Sequence, residues 1–325
     1  MNEQTTYIDA INQALREEMQ KDESVFCLGE DIGIYGGAFK ATKGLLEEFG
    51  RSRILDTPLS ESAIVGSAIG AALMGMRPVA EMQFADFVSV AFNQLACNGS
   101  TIFYRYGTPV PMVVRCPCGG GIHGGPFHSQ NVEAYFFHIP GIKMVIPATP
   151  YDAKGLLKAS IRDNNIVLFM EHKFLYRRIK EVLPKDDYTV EIGKGLVRRD
   201  GEDATVITYG SMVHMALQSA SYLAKEGYSI EVVDMRSLKP FDKELMLKSA
   251  KKTGKVLVLT EDQLTGSLTS EWASIVADEA FEYLDAPVKR LGALDTPVPY
   301  SPPLEDFYLP NQQKISAALK ELLKY

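Results

Sequence analysis

Apolar residues recur every three or four positions over residues 7–21, where Ile8, Ile11, Leu15 and Met19 share one face, and this spacing predicts a helix. A short apolar run at 25–29 predicts a strand. The alternation then continues, with a helix over 61–74 opened by Ser60 as N-cap and a strand over 79–82. A helix over 87–104, interrupted by Gly99, leads to a strand over 111–115 that ends in the glycine cluster Cys-Gly-Gly-Gly-Ile-His-Gly-Gly. A helix near 130–137, a strand at 143–146, a helix at 151–161 and a strand at 166–170 complete this half. Residues 177–203 break the rhythm, being charged and carrying Pro184 and several glycines, and read as an interdomain crossing. A second series follows, with strands at 204–209, 229–234, 255–260 and 288–291 and helices at 212–225, 243–251 and 268–280. The proline-rich stretch 295–310 is expected to be extended, and an amphipathic helix over 312–324 closes the chain. Strand–helix alternation of this kind predicts an α/β protein of two doubly wound domains, at 1–180 and 204–325, with 181–203 between them.

Composition narrows the function classes. The chain has 325 residues, enough for two domains. Its net charge of −7 argues against a nucleic-acid footprint. A hydrophobic fraction of 46% with 23% charged residues suits globular cores. The longest apolar or small stretch, 63–76, falls short of the roughly 20 residues that cross a bilayer, so no membrane span is expected. The acidic, amphipathic start lacks a basic region and an apolar core, so no signal peptide is expected and a cytoplasmic location follows. Cys27 and Cys97 fall in apolar segments, and Cys116-Pro-Cys118 lacks the two-residue spacer of redox and zinc pairs, which favours structural roles.

Three features could carry chemistry. The helix from Glu61 has ridges of small residues four apart, Ser62, Gly66 and Gly70 beside Ala63, Ser67, Ala71 and Gly75. Such ridges let another helix backbone approach closely, either within the domain or across a subunit contact. Glu61 opens that helix, where a carboxylate is favoured by the helix dipole with or without a catalytic role. His128 follows the glycine-rich loop, whose backbone can approach a ligand closely. His123 is its nearby rival, while His138, His172 and His214 read as structural.

Glu61-x4-Gly66-x3-Gly70 resembles the glutamate–glycine motif of the pyrimidine domain of thiamine-diphosphate enzymes, with Ser67 standing where that motif has an apolar residue. The blocks FCLGEDIGIYGGAFKATKGL, RILDTPLSESAI, RPVAEMQFADF, HGGPFHSQNVEA, PGIKMVIPATPYDAKGLLKASIRDN and VVDMRSLKPFD follow in order. Together, from about Tyr7 to the C-terminus, they resemble the β subunit of the decarboxylating first component of 2-oxo acid dehydrogenase complexes. The branched-chain type is the nearest in appearance, in QFADF and HGGPFHSQNVEA.

The resemblance implies a thiamine-diphosphate-binding pyrimidine-type domain followed by a transketolase C-terminal-type domain. It implies that Glu61 bonds the aminopyrimidine ring and so promotes formation of the nucleophilic thiazolium carbon, which requires a buried carboxyl. Leu59 matches the bulky residue near the bend of the cofactor, Phe87 an aromatic that stacks on the pyrimidine, and Gln83 the same lining. His128 matches a catalytic histidine that transfers a proton while the acyl group passes to lipoyl-lysine. Ser160, Asp163 and Asn165, with carbonyls of Val110, Met112 and Val113, match a potassium site of branched-chain relatives, although the compact RYGTPVPMVVR and the stretch LACNGSTIFY depart from those relatives. A turn built from Arg-Asp-Asn-Asn is the plain alternative reading of 162–165.

The diphosphate and Mg2+ of the cofactor need a Gly-Asp-Gly motif and a later asparagine. The chain has no Gly-Asp-Gly, its nearest string is Arg-Asp-Gly-Glu-Asp, and no asparagine lies between Asn165 and Asn311. That half-site is therefore expected from an α subunit in an α2β2 heterotetramer, with the small-residue ridge packing across subunits. A lipoylated acyltransferase core is the further expected partner. The expected activity is that of a lipoamide-dependent 3-methyl-2-oxobutanoate dehydrogenase. A pyruvate or acetoin complex, a split transketolase-like transferase and a non-catalytic scaffold are the alternatives.

Overall fold

The computed structural model describes residues 4–325. The chain divides into two compact units: residues up to Cys118 together with Tyr135–Ile192, and Gly119–Ala134 together with Gly193–Tyr325. Gly119–Ala134 thus groups with the second unit, a placement that a linear reading of strand–helix alternation has no means to provide.

The first half of the chain runs β1 (Thr5–Thr6), α1 (Tyr7–Lys21), β2 (Val25–Gly29), α2 (Leu45–Phe49), β3 (Ile54–Asp56), α3 (Glu61–Leu73), β4 (Arg77–Glu81), α4 (Ser100–Tyr106), β5 (Val113–Cys118), α5 (Glu133–Phe137), β6 (Lys143–Val145), α6 (Pro150–Arg162), β7 (Val167–His172) and β8 (Lys180–Glu181). Within the first unit the parallel sheet has the order β6-β7-β5-β4-β2-β3. Its inner strands β2, β5 and β7 are buried throughout, as in Val167–His172, which is why they read as nearly continuous apolar runs and not as alternations, whereas the edge strand β3 is largely exposed. Thr6 caps α1 by accepting a hydrogen bond from the Asp9 amide at 3.2 Å. The buried face of α1, with Ile11, Leu15 and Met19, shares one core with Leu156, Leu157 and Ile161 of α6. Each such fully buried aliphatic side chain contributes about 1.5–3 kcal/mol.

The second half runs β9 (Leu196–Arg199), β10 (Ala204–Thr208), α7 (Ser211–Ala224), β11 (Ile230–Asp234), β12 (Ser237–Lys239), α8 (Lys243–Thr253), β13 (Val256–Gln263), α9 (Leu268–Glu279), β14 (Lys289–Ala293), α10 (Pro302–Tyr308) and α11 (Gln312–Leu322). Five strands form a sheet of order β14-β13-β10-β11-β9, parallel except for β9 on β11. The core beneath it joins β10 and β11 to α7 and α11, through Val206, Val232, Leu223 and Leu319.

Three expectations need correction. Residues 87–104 are not one helix, because a 3-10 segment (Ala85–Ala91) and a π segment (Gln94–Gly99) precede α4. Ser89, Ser100 and Thr101 donate their hydroxyls to backbone carbonyls three or four residues back, which competes with regular helix. Gly99 is packing-bound: a Cβ there would lie 2.5 Å from Ile166 Cδ1. The stretch 295–310 is not wholly extended, since Pro302 and Pro303 open α10, where their missing N–H groups cost nothing. The crossing segment contains β9, paired antiparallel on β11 and tied by Arg198 to Asp234 at 2.8 Å.

A buried ionic cluster crosses the first sheet. The Arg115 guanidinium of β5 bonds both oxygens of Glu171 of β7, at 2.5 and 2.8 Å, and pairs on its other side with Glu81 of β4. Tyr176 donates to the same Glu171 at 2.8 Å. Burial pushes the Glu81 carboxyl up, and Arg115 works against that rise. Breaking a buried pair from one side leaves an uncompensated charge. Arg115→Met is therefore expected to destabilise the first unit by about 3–5 kcal/mol, read as a lower urea midpoint by circular dichroism.

Candidate active site

The order of the first sheet has β2 flanked by β3 on one side and β4 on the other, so the chain reverses its direction of travel at β2. Open parallel sheets bind ligands outside the carboxyl ends of their strands at such a switch point. The segments leaving those ends carry the candidate residues. Glu30 and Asp31 leave β2, Leu59 and Glu61 follow β3, and Gln83 follows β4.

Glu61 occupies the first turn of α3 and is 7% exposed. Ser60 does not cap this helix with its hydroxyl. Its backbone N–H instead donates to Glu30, whose carboxylate caps the turn from outside. Glu30 is itself buried, and its Oε1 has no hydrogen-bond partner. Burial first, and the Glu61 carboxylate second, push the Glu30 carboxyl above the usual range. Gln83 Nε2 donates to Asp31 Oδ2 at 3.1 Å, linking the segments after β4 and β2. Phe87 is half-buried and meets Phe84 edge-on, with ring centroids 5.9 Å apart. Leu59 is 79% exposed. The structure thus brings Glu61, Gln83 and Leu59 to one end of one sheet. Glu30 was missed by sequence reasoning, although Gly-Glu-Asp directly after a strand was its signal.

His128 lies in the second unit, half-buried at the end of a short 3-10 turn (Gly125–Phe127). Its N–H donates to Gly125 O at 3.3 Å. The loop before it is held by carboxylates. Gly120 N donates to Glu261 Oε1 at 2.7 Å, and Gly121 N to Glu305 Oε1 at 3.0 Å. Glu261 also accepts from Asn131 at 3.2 Å and from the Ser211 hydroxyl. Gly125 has φ +71, and a Cβ there would fall 2.2 Å from the Tyr300 ring, so the tyrosine lies directly on its backbone. Beside these groups burial, with the charges of Glu133 and Glu261, pushes the Asp262 carboxyl up to about 8.

Several of the oxygens expected at a potassium site already have partners. Asp163 Oδ2 pairs with Lys143 Nζ at 2.5 Å and Oδ1 accepts from Asn165 N at 2.8 Å. Ser160 Oγ donates to Leu156 O at 2.7 Å, and Met112 O accepts from Val167 N at 3.0 Å. Among the described residues no group of three or more His, Cys, Asp or Glu could hold a metal ion. On α3, Ala63, Ser67 and Gly70 are exposed, as are Leu73 and Met74, while Ser62 donates to Val90 O at 2.7 Å and Gly66 faces Gln94.

The raised Glu30 carboxyl has a consequence for pH. The folded chain holds that proton more tightly than the unfolded chain, so the group's contribution is present at acidic pH and is lost as pH rises through its folded value. Glu30→Gln keeps the neutral form. It is expected to raise the melting temperature of the isolated chain at neutral pH, with the gain shrinking toward the ordinary glutamate range, as measured by thermal unfolding across pH.

Comparisons with known proteins identify the domains that carry these residues. The family of transketolase pyrimidine-binding domains matches residues 3–178, and that of transketolase C-terminal domains matches residues 193–315. The chain is 54% identical to the 2-oxoisovalerate dehydrogenase subunit beta of Bacillus subtilis, over 98% of this chain and 99% of that one. It is 43% identical to the pyruvate dehydrogenase E1 component subunit beta of the same organism, over 99% of each. A solved split-gene transketolase, described as an inactive beta4 tetramer, superposes with a TM-score of 0.80 at 25% identity, covering 98% of both chains. No helix among the described residues is long and apolar enough to cross a membrane. The chain belongs to the transketolase-domain family of 2-oxo acid dehydrogenase E1 β subunits.

Proposed function

We propose that the chain supplies the ring-activating half of a thiamine diphosphate site in the decarboxylating component of a cytoplasmic 2-oxo acid dehydrogenase complex, acting on branched-chain 2-oxo acids of the 3-methyl-2-oxobutanoate type. The observation that carries this reading is Glu61, a buried carboxyl at the start of α3 with a second buried carboxyl, Glu30, beside it at the switch point of the sheet. These residues fit an aminopyrimidine ring, which presents nitrogens to a carboxyl and an apolar face to an aromatic.

Bound there, the coenzyme would supply the nucleophilic carbon and the electron sink for decarboxylation. Glu61 holds a proton against the ring nitrogen. Glu30 lies beside it, its own carboxyl raised by burial and by the Glu61 charge. Phe87 and Leu59 offer apolar contact, and Gln83 a polar edge fixed by Asp31. His128 moves a proton during acyl transfer to lipoyl-lysine, and its glycine loop leaves the backbone low enough for a substrate to approach.

The remaining parts of the reading concern partners. An α subunit would bring the diphosphate and Mg2+ ligands in an α2β2 assembly, seated in part on the exposed small-residue face of α3. A lipoylated acyltransferase would receive the acyl group. A potassium ion at Val110, Met112, Val113, Ser160, Asp163 and Asn165 would be held by main-chain carbonyls, because Lys143 already satisfies the Asp163 side chain. The domain limits proposed are 1–180 and 204–325, with 181–203 between them.

The 43% identity to a pyruvate dehydrogenase β subunit favours pyruvate as the second reading; an acetoin complex or a split transketolase-like transferase is a more distant alternative. Reconstitution with the α chain decides between them. Branched-chain 2-oxo acids are expected to exceed pyruvate in kcat/KM, with reduction of a lipoyl domain, and the reverse order assigns the chain to the pyruvate reading. In the same enzyme Glu61→Gln is expected to lower decarboxylation by about 10²-fold or more, measured as CO2 release. Undiminished turnover would remove the catalytic assignment.

A further inference from the structure

The histidine loop of the second unit is fastened by a carboxylate from far along the chain. Glu305, in α10, is 0% exposed. Its Oε1 accepts from Gly121 N at 3.0 Å, its Oε2 accepts from His123 N at 3.1 Å, and the same Oε2 lies 2.6 Å from His123 Nδ1. A carboxylate removed from water needs several such donors, and these three come from a single loop. The backbone they hold is not a relaxed one. Gly121 has φ +77, and His123 has φ +59, in the left-handed region that a histidine seldom adopts. A Cβ on Gly120 would lie 3.2 Å from Glu305 Oε1, so the loop passes close over the carboxylate.

The imidazole is thereby set in one tautomer. A short contact from Nδ1 to a carboxylate oxygen calls for a proton on Nδ1, which in the neutral ring leaves Nε2 as the acceptor. The ring carrying Nε2 is 44% exposed. His123 therefore turns its Nε2 edge to the outside, with its other edge held by a buried carboxylate.

We propose that Glu305 is a positioning residue for acyl transfer, acting through His123 to fix the loop that also carries His128. This rests on the reading that the loop belongs to the active site. A carboxylate that merely braced the fold would weaken everything the loop supports to the same degree. One that orients His123 affects the transfer step selectively and only while His123 is present.

The test uses the assembled α/β holoenzyme with Glu305→Gln, His123→Gln, the double variant and His128→Ala. Two rates are read: 2-oxo acid oxidation by an artificial electron acceptor, and reductive acylation of a free lipoyl domain. Glu305→Gln is expected to lower kcat for acylation about tenfold, as a misplaced group does, with the KM for the lipoyl domain and the acceptor-coupled rate little changed. In the His123→Gln background the same substitution is expected to add nothing. Additive losses, a parallel fall in both rates, or unchanged acylation would each overturn the proposal. Should Glu305→Gln fail to assemble, His123→Gln alone, which leaves both backbone donors on the carboxylate, must show the selective loss, and its absence counts against the proposal. His128→Ala separates the two levels. Full acylation in that variant removes the loop from the active site altogether, whereas its loss beside a normal Glu305→Gln refutes only the role of Glu305.

Discussion

Carboxylates taken out of water, and the donors required to keep them there, govern this molecule. Inside the first sheet the Arg115 guanidinium lies between Glu81 and Glu171, so three neighbouring strands are tied by charge as well as by their backbone ladder. Such a cluster is costly to bury and gives little net stability compared with apolar packing. What it provides is direction, since a planar fork with two carboxylate partners admits one arrangement. The segments that leave the carboxyl ends of the strands, where the candidate residues gather, depart from a frame held in that way.

The same principle recurs at the helix that carries Glu61. Its first turn lacks a hydroxyl cap, and the free backbone donor is met by Glu30 from the neighbouring strand end. A carboxyl is thus placed beside a carboxyl. Glu30 cannot ionise as freely there as it would in water, being raised by burial and by its neighbour. In the second unit Glu261 and Glu305 fasten glycine amides in place of a regular element. Loop and helix start are held by the same chemistry on different scaffolds.

Much of this was legible beforehand, for identifiable reasons. Helix α1 was visible because Ile8, Ile11, Leu15 and Met19 repeat at helical spacing, and the strands because buried parallel strands are nearly pure apolar runs. The glycine-rich loop stood out by its residue types, whereas Glu61, an ordinary first-turn carboxylate by position, was singled out only by the resemblance of Glu61-x4-Gly66-x3-Gly70 to a family motif. The segment after Phe87 was not, since serine and threonine hydroxyls bonding back to carbonyls leave no periodic trace. Helix α10 was hidden by Pro302 and Pro303, which suit a first turn as well as an extended chain. Glu30 and Glu305 owe their importance to partners at Ser60 and at Gly121 and His123. Gly-Glu-Asp marks Glu30 as a carboxylate at a strand end, but no local pattern encodes contacts between residues so far apart in sequence, so the partners emerge only once the chain is folded.

The outward side of α3 has a practical consequence. Ala63, Ser67 and Gly70 leave almost nothing standing above the backbone, and Leu73 and Met74 extend the strip. A surface that bare and apolar is poorly suited to water and well suited to another helix. If a second chain covers this strip, as proposed, a cell or bench preparation holding more of this polypeptide than of that chain would carry adhesive orphan copies, and matched synthesis of the two would be the simplest remedy.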